Sequence, residues 1–149
     1  MPVYHLAQLN IAVPLAPVDS QQLKDFVDNL DPINALAECS PGFVWRLKDD
    51  SGNATSFRPF GDDILANMSV WESIDSLKQF VYDSGHVEFM RRRAEWFSRM
   101  KEAYTVLWWV PAGHLPDFGE AKERLDSLRE KGPGEFAFTF GKPFPMPLD

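Results

Sequence analysis

Residues 104 to 110, Tyr-Thr-Val-Leu-Trp-Trp-Val, constrain this chain more than any other segment. In a strand, alternating side chains point to opposite faces. Tyr104, Val106, Trp108 and Val110 then share one face, and Thr105, Leu107 and Trp109 share the other. Both faces are apolar, so the strand needs cover on both sides. A bare face carrying Trp108 or Trp109 would be a large exposed apolar patch. The fold must supply a layer above and below this strand.

The other elements follow from periodicity. Tyr4 to Val13 alternates, with His5, Ala7, Leu9 and Ile11 opposite Tyr4, Leu6, Gln8 and Asn10. Pro14 and Pro17 end that strand. Asp19 or Ser20 can cap a helix with Leu23, Phe26, Val27 and Leu30 inward. Asp31-Pro32 breaks or restarts it, and Ile33, Leu36 and Ala37 continue to about Cys39. After the Pro41-Gly42 turn, Phe43, Trp45 and Leu47 alternate with Val44, Arg46 and Lys48 as a second strand. Asp49 to Gly61 is a polar loop. Ile64 to Glu72 is a third strand, with Leu65, Asn67, Ser69 and Trp71 on one face. Ser73 caps a helix from Ile74 to Tyr82, and Ser84 caps another from His86 to Met100. Asp117 with Glu120 reads as a capping box for a helix to Lys131. Glu135 to Phe140 is a short last strand.

This order predicts an α+β fold, the ferredoxin-like split βαβ with an added C-terminal helix and strand. Helices cover one face of the sheet. The economical cover for the other face is the sheet of a second copy, so a homodimer is expected.

The 149 residues fit a single domain, 1–149. Five Trp and twelve Phe are a large apolar load for this length, pointing to an interface or a pocket beyond a minimal core. The net charge of −7 repels phosphate backbones, so nucleic acid is not an expected partner. No run is apolar enough to span a membrane, and the N-terminus lacks the basic start of a signal peptide. One cysteine, Cys39, forms no internal disulfide, so a cytoplasmic location is expected. The three His show no metal-ligand spacing, and no phosphate loop or dinucleotide fingerprint is present. No metal and no cofactor is expected.

Three stretches carry a resemblance: Tyr4-His5-Leu6-Ala7-Gln8-Leu9-Asn10, Ser69-Val70-Trp71-Glu72-Ser73 leading to His86, and Trp108-Trp109-Val110-Pro111-Ala112-Gly113-His114. With Gly132-Pro133 and Ala137-Phe138-Thr139-Phe140, the chain resembles a bacterial domain-of-unknown-function family over nearly its whole length. The resemblance places it by fold with the dimeric α/β barrels, which include antibiotic-biosynthesis and haem-degrading monooxygenases. It implies two sheets packed face to face, helices outside and ligand pockets between sheet and helices. It implies no reaction. The Asn-x-x-x-Trp-His arrangement of the haem-degrading type is missing, since Glu72 follows Trp71.

For chemistry, the predicted helix from His86 offers the richest face: His86, Phe89, Met90, Arg93, Trp96 and Phe97. His86 can act as a general acid or base and Arg93 can hold a carboxylate or enolate oxygen. The structural alternatives are a helix-start cap for His86 and a guanidinium laid over aromatics for Arg93. His5, on the strand face shared with Leu9 and Ile11, lines one cavity with His86 if that face meets the helices. Trp71 can stack a flat ligand. Gln8, Asn10 and Asn67 sit inside strands and imply a buried hydrogen-bonded layer that must be fully satisfied. The functional expectation is a small-molecule-binding protein, monooxygenase-like if enzymatic, acting on a small aromatic or apolar substrate without a bound metal. The alternatives are a non-catalytic ligand carrier or sensor and a haem-handling enzyme.

Overall fold

The computed structural model describes residues 3–48, 64–83, 91–100 and 102–147. Its elements run β1 (Tyr4–Ala12), α1 (Lys24–Asp28), α2 (Leu30–Glu38), β2 (Phe43–Arg46), β3 (Leu65–Trp71), α3 (Ile74–Asp83), α4 (Arg93–Trp96), β4 (Thr105–Pro111) and α5 (Phe118–Lys131). The strands form an antiparallel sheet in the order β2-β3-β1-β4. The protein is therefore a mixed α+β fold in which the first strand lies at the centre.

Register fixes the faces. Asn10 pairs with Asn67 and Thr105, and Gln8 pairs with Ser69 and Leu107. Those residues share a face with Leu6, Trp71 and Ala12, on which two apolar clusters sit. At one end, Leu6, Trp71, Leu107 and Phe138 pack with Ala37, Leu77 and Phe80 from α2 and α3. At the other, Ala12 and Leu65 pack with Leu23, Phe26, Trp96 and Phe97.

The opposite face carries Ala7, Leu9, Ile11, Met68, Val70, Val106, Trp108 and Val110. Ala121, Leu125 and Leu128 of α5 pack onto it. Trp108 is 0% exposed and Val110 2%. The bare face that suggested a second sheet is thus covered within the chain by its own C-terminal helix. At about 25 cal/mol per Å2 of apolar surface, burying a Trp and several Val and Leu side chains here is worth several kcal/mol.

Local signals explain most element ends. Ser73 Oγ accepts from Ser76 N at 3.1 Å and starts α3. Asp117 Oδ1 accepts from Glu120 N at 2.8 Å and starts α5. Pro32 stands in the first turn of α2, where its missing N–H costs nothing. Three expectations are corrected. Neither Asp19 nor Ser20 caps α1, whose N-cap is Leu23. The helix predicted to reach Met100 ends at Trp96, because Phe97 is extended and pairs with Pro14, while Ser98 N donates to Val13 O. The last predicted strand reduces to isolated bridges, chiefly Leu107 with Phe138. The predicted loop from Asp49 to Gly61 lies outside the described residues.

Candidate functional site

Between the two apolar clusters of the α1-α3 face runs a polar strip across three strands. Gln8 Nε2 donates to Asn67 Oδ1 at 2.7 Å and to Ser69 Oγ at 2.8 Å. Asn10 Nδ2 donates to Thr105 Oγ1 at 2.8 Å. Trp71 Nε1 donates to Ser69 Oγ at 2.9 Å. Gln8 and Ser69 are buried, whereas Asn10 and Thr105 are half-buried. Asn67 is exposed, although it lies on an inner strand between β2 and β1. Solvent therefore reaches the sheet at the strip while the apolar clusters on either side exclude it.

The strip continues onto β2. Phe43 pairs with Trp71 and Trp45 with Val70, so a register irregularity lies between them. Beyond it, Arg46 pairs with Ser69 and shares its face. The Arg46 side chain is 11% exposed, and its Nε meets Glu38 Oε2 of α2 at 3.2 Å. Simple alternation groups Arg46 with Lys48 and Val44, and the irregularity hides this placement. Arg46, Glu38, Ser69 and Thr105 are the site residues that sequence reading missed. The signal for two of them was present: Ser69 and Thr105 alternate with apolar residues on the same faces as Asn67 and Leu107.

The residues singled out from sequence scatter around this site. Trp71 borders it and donates into it, with its ring stacked at 5.3 Å on Phe80. Trp96 and Phe97 belong to the flanking cluster, where Phe26 lies 5.6 Å and 4.9 Å from their rings. Arg93 places its guanidinium 4.7 Å over Tyr104 and 5.4 Å over Phe97, the aromatic-stacked arrangement. His5 pairs with Val110 on the α5 face, and its Nδ1 is buried without a hydrogen-bond partner. Tyr104 and Val110 are six residues apart along one strand line, roughly 20 Å at ~3.3 Å per residue. His5 and the Tyr104 ring under Arg93 therefore lie toward opposite ends of the sheet, and the expected pairing of His5 with His86 falls outside the described residues. His86, Phe89 and Met90 lie outside the described residues.

A second polar constellation holds the other face. Glu120 Oε2 accepts from Trp108 Nε1 at 2.7 Å, and Glu120 Oε1 meets His114 Nε2 at 2.6 Å. The capping box is thus half-made. Asp117 caps α5, but the Glu120 carboxylate turns to the indole and the imidazole. This gives the Trp108-to-His114 run a structural reason. Its first and last residues grip one carboxylate and pin α5 to β4. Among the described residues no group of three His, Cys, Asp or Glu side chains is arranged to hold a metal ion. No helix among them is long and apolar enough to cross a membrane.

No curated protein matches the chain. Among solved structures, the protein NE2512 of unknown function from Nitrosomonas europaea is similar. The identity is 17% and the TM-score 0.47, covering 78% of this chain and 99% of that one. The sequence profile of a domain of unknown function, DUF3291, matches residues 5–149. By that match, which takes in the central strand, the polar strip and the Trp108-to-His114 run, the chain belongs to the DUF3291 family.

Proposed function

We propose that this protein binds a small, partly aromatic molecule on the polar strip between the sheet and its helices. The strip itself carries the reading. Five amide and hydroxyl side chains from three strands converge in an otherwise apolar layer, and the inner-strand residue Asn67 is open to solvent. Ligand sites combine apolar walls with a few placed polar groups in this way. Trp71 and Phe80 wall one end, and Trp96 and Phe97 wall the other.

The strand order β2-β3-β1-β4 supports reading the fold as the ferredoxin-like split βαβ. The resemblance to dimeric α/β barrels supports a pocket on this same side of the sheet. A homodimer belongs to this reading on the resemblance alone, and the face-to-face sheet packing that the resemblance implies would meet α5 on the face it covers. Amides and hydroxyls orient a ligand but do not exchange protons near neutral pH. The strip thus favours a carrier or sensor over a monooxygenase-like enzyme.

The test is a ligand-observed NMR screen of small aromatic molecules against the wild-type chain and the Asn67→Leu and Thr105→Val variants. Hits lost in both variants, with folding retained, support the site. Hits unaffected by either variant overturn it.

A further inference from the structure

Residues 141–147 are exposed with one exception, Phe144, which is half-buried. Its ring packs into the apolar cluster that walls one end of the strip, 6.0 Å from the ring of Phe138. Its carbonyl accepts from Trp109 Nε1 at 2.9 Å. Register puts this contact beside the strip. Gln8 pairs with Ser69 and with Leu107, and Leu107 bridges to Phe138, so these four residues form one row across the sheet. Leu6, Trp71 and Trp109 form the next row on the same face. Strands lie ~4.8 Å apart, so Phe138 stands roughly 10 Å from Gln8 along its row.

Little else holds this segment. Pro143, Pro145 and Pro147 have no N–H, so it cannot extend the sheet as a regular strand. Among the described residues, 143–147 make no backbone–backbone hydrogen bond. The turn before them is closed by Lys142 N, which donates to Thr139 O at 3.2 Å. Releasing Phe144 therefore breaks no ladder of strand bonds. Segments with so few buried contacts open locally more readily than the core beneath them. What release uncovers is specific. Trp109 and Phe138 offer aromatic walls, and the half-buried Trp109 indole is a donor only, so a new occupant must bring an acceptor.

We propose that residues 143–147 are a displaceable strap, with Phe144 filling a subsite that otherwise takes an aromatic ring bearing a hydrogen-bond acceptor. On the reading that the strip is the binding site, this is where the aromatic part of its ligand lies. The strap must lift before that ring can enter. The apparent affinity of the intact chain is then reduced by the fraction of molecules in which the strap is open.

Two probes of the same shape test this, acetophenone, which carries an acceptor oxygen, and α-methylstyrene, which does not. Each is titrated into the wild-type chain, a chain ending at Lys142 and the Phe144→Ala variant, with folding checked by amide spectra. Binding is read by NMR at the Trp109 indole N–H, assigned through Trp109→Phe. Acetophenone should bind both altered chains at least tenfold more tightly than the wild type and shift the Trp109 indole resonance. α-Methylstyrene should gain less. Equal acetophenone affinity in the wild-type and Phe144→Ala chains overturns the strap. A gain that leaves the Trp109 resonance unmoved, or that survives Trp109→Phe undiminished, overturns the subsite. Equal gains for the two probes overturn the acceptor requirement. The readout at Trp109 is separate from the screen at Asn67 and Thr105, so a gain here with no effect there fails the strip alone, and the reverse fails the strap alone.

Discussion

Trp108 donates its indole N–H to Glu120 at 2.7 Å, from a ring that is 0% exposed. The same carboxylate holds His114 at 2.6 Å. This single acid joins β4, the loop after it and the first turn of α5. Removing it leaves a buried donor without an acceptor, at a cost of about 1–3 kcal/mol. Glu120→Ala should therefore lower stability by about 2 kcal/mol in urea denaturation, while Glu120→Gln, which keeps an acceptor oxygen, should lose less than half of that. A Glu120→Ala/Trp108→Phe double mutant should lose less than the sum of the two single changes.

Ser69 is the keystone of the polar strip, because two N–H donors end on its one oxygen. Ser69→Ala strands one Gln8 hydrogen and the Trp71 indole together. The expected loss is about 2 kcal/mol, measured by chemical denaturation. Ser69→Cys, with a weaker acceptor, should fall between.

Arg124 fixes the segment after α5. Its guanidinium lies 3.8 Å over the Phe136 ring and its Nη1 donates to Phe136 O at 2.9 Å. Burial holds this guanidinium below its ordinary value, with Glu120 and Glu123 opposing. Arg124→Ala should loosen the bridge in which Phe138 N and Leu107 N each bond the other's carbonyl at 2.9 Å. Hydrogen exchange at Phe138 should accelerate at least tenfold, while exchange at the β1-β3 pairs stays unchanged.

Acid should weaken the Arg92–Glu95 pair at the start of α4. Arg92 bonds Glu95 at 2.9 Å and Asp25 at 2.8 Å. The hydrogen bond from Arg92 holds the Glu95 carboxyl below its ordinary value of 4.5. A depressed carboxyl adds stability above its unfolded value and loses it as pH falls through the folded one. The wild-type chain should thus lose this contribution below about pH 4.5, and Glu95→Gln should flatten that limb of the stability-pH curve. The pair lies at the surface, so the effect should be small and should shrink further in high salt.

Much of the sheet was legible in the sequence. Alternation placed Asn67, Ser69 and Trp71 on one face of β3, and the doubly apolar β4 announced cover on both sides. Three things were not legible, each for a physical reason. A hydrophobic stripe such as Ala121, Leu125 and Leu128 says that a helix packs, not which layer it covers, so α5 was not recognised as the second cover. The irregularity between Phe43 and Trp45 shifts every later residue of β2 to the other face, which carried Arg46 into the site unseen. The distance between His5 and Arg93 was not legible either, because height along the sheet is not encoded in spacing alone. The Gln8-Asn10-Asn67 layer was visible as polar residues inside strands, but register was needed to show that it lies on the helix side.

The central position of β1 has a kinetic consequence. Its partners are β3, which begins at Leu65, and β4, which begins at Thr105. Until those segments are made and find it, Leu6, Leu9 and Ile11 have no sheet to join, and both edges of the strand are open to any other chain. Pairings this distant slow folding. The first strand to be synthesised is therefore among the last to be completed, and the growing chain is most exposed to aggregation in that interval.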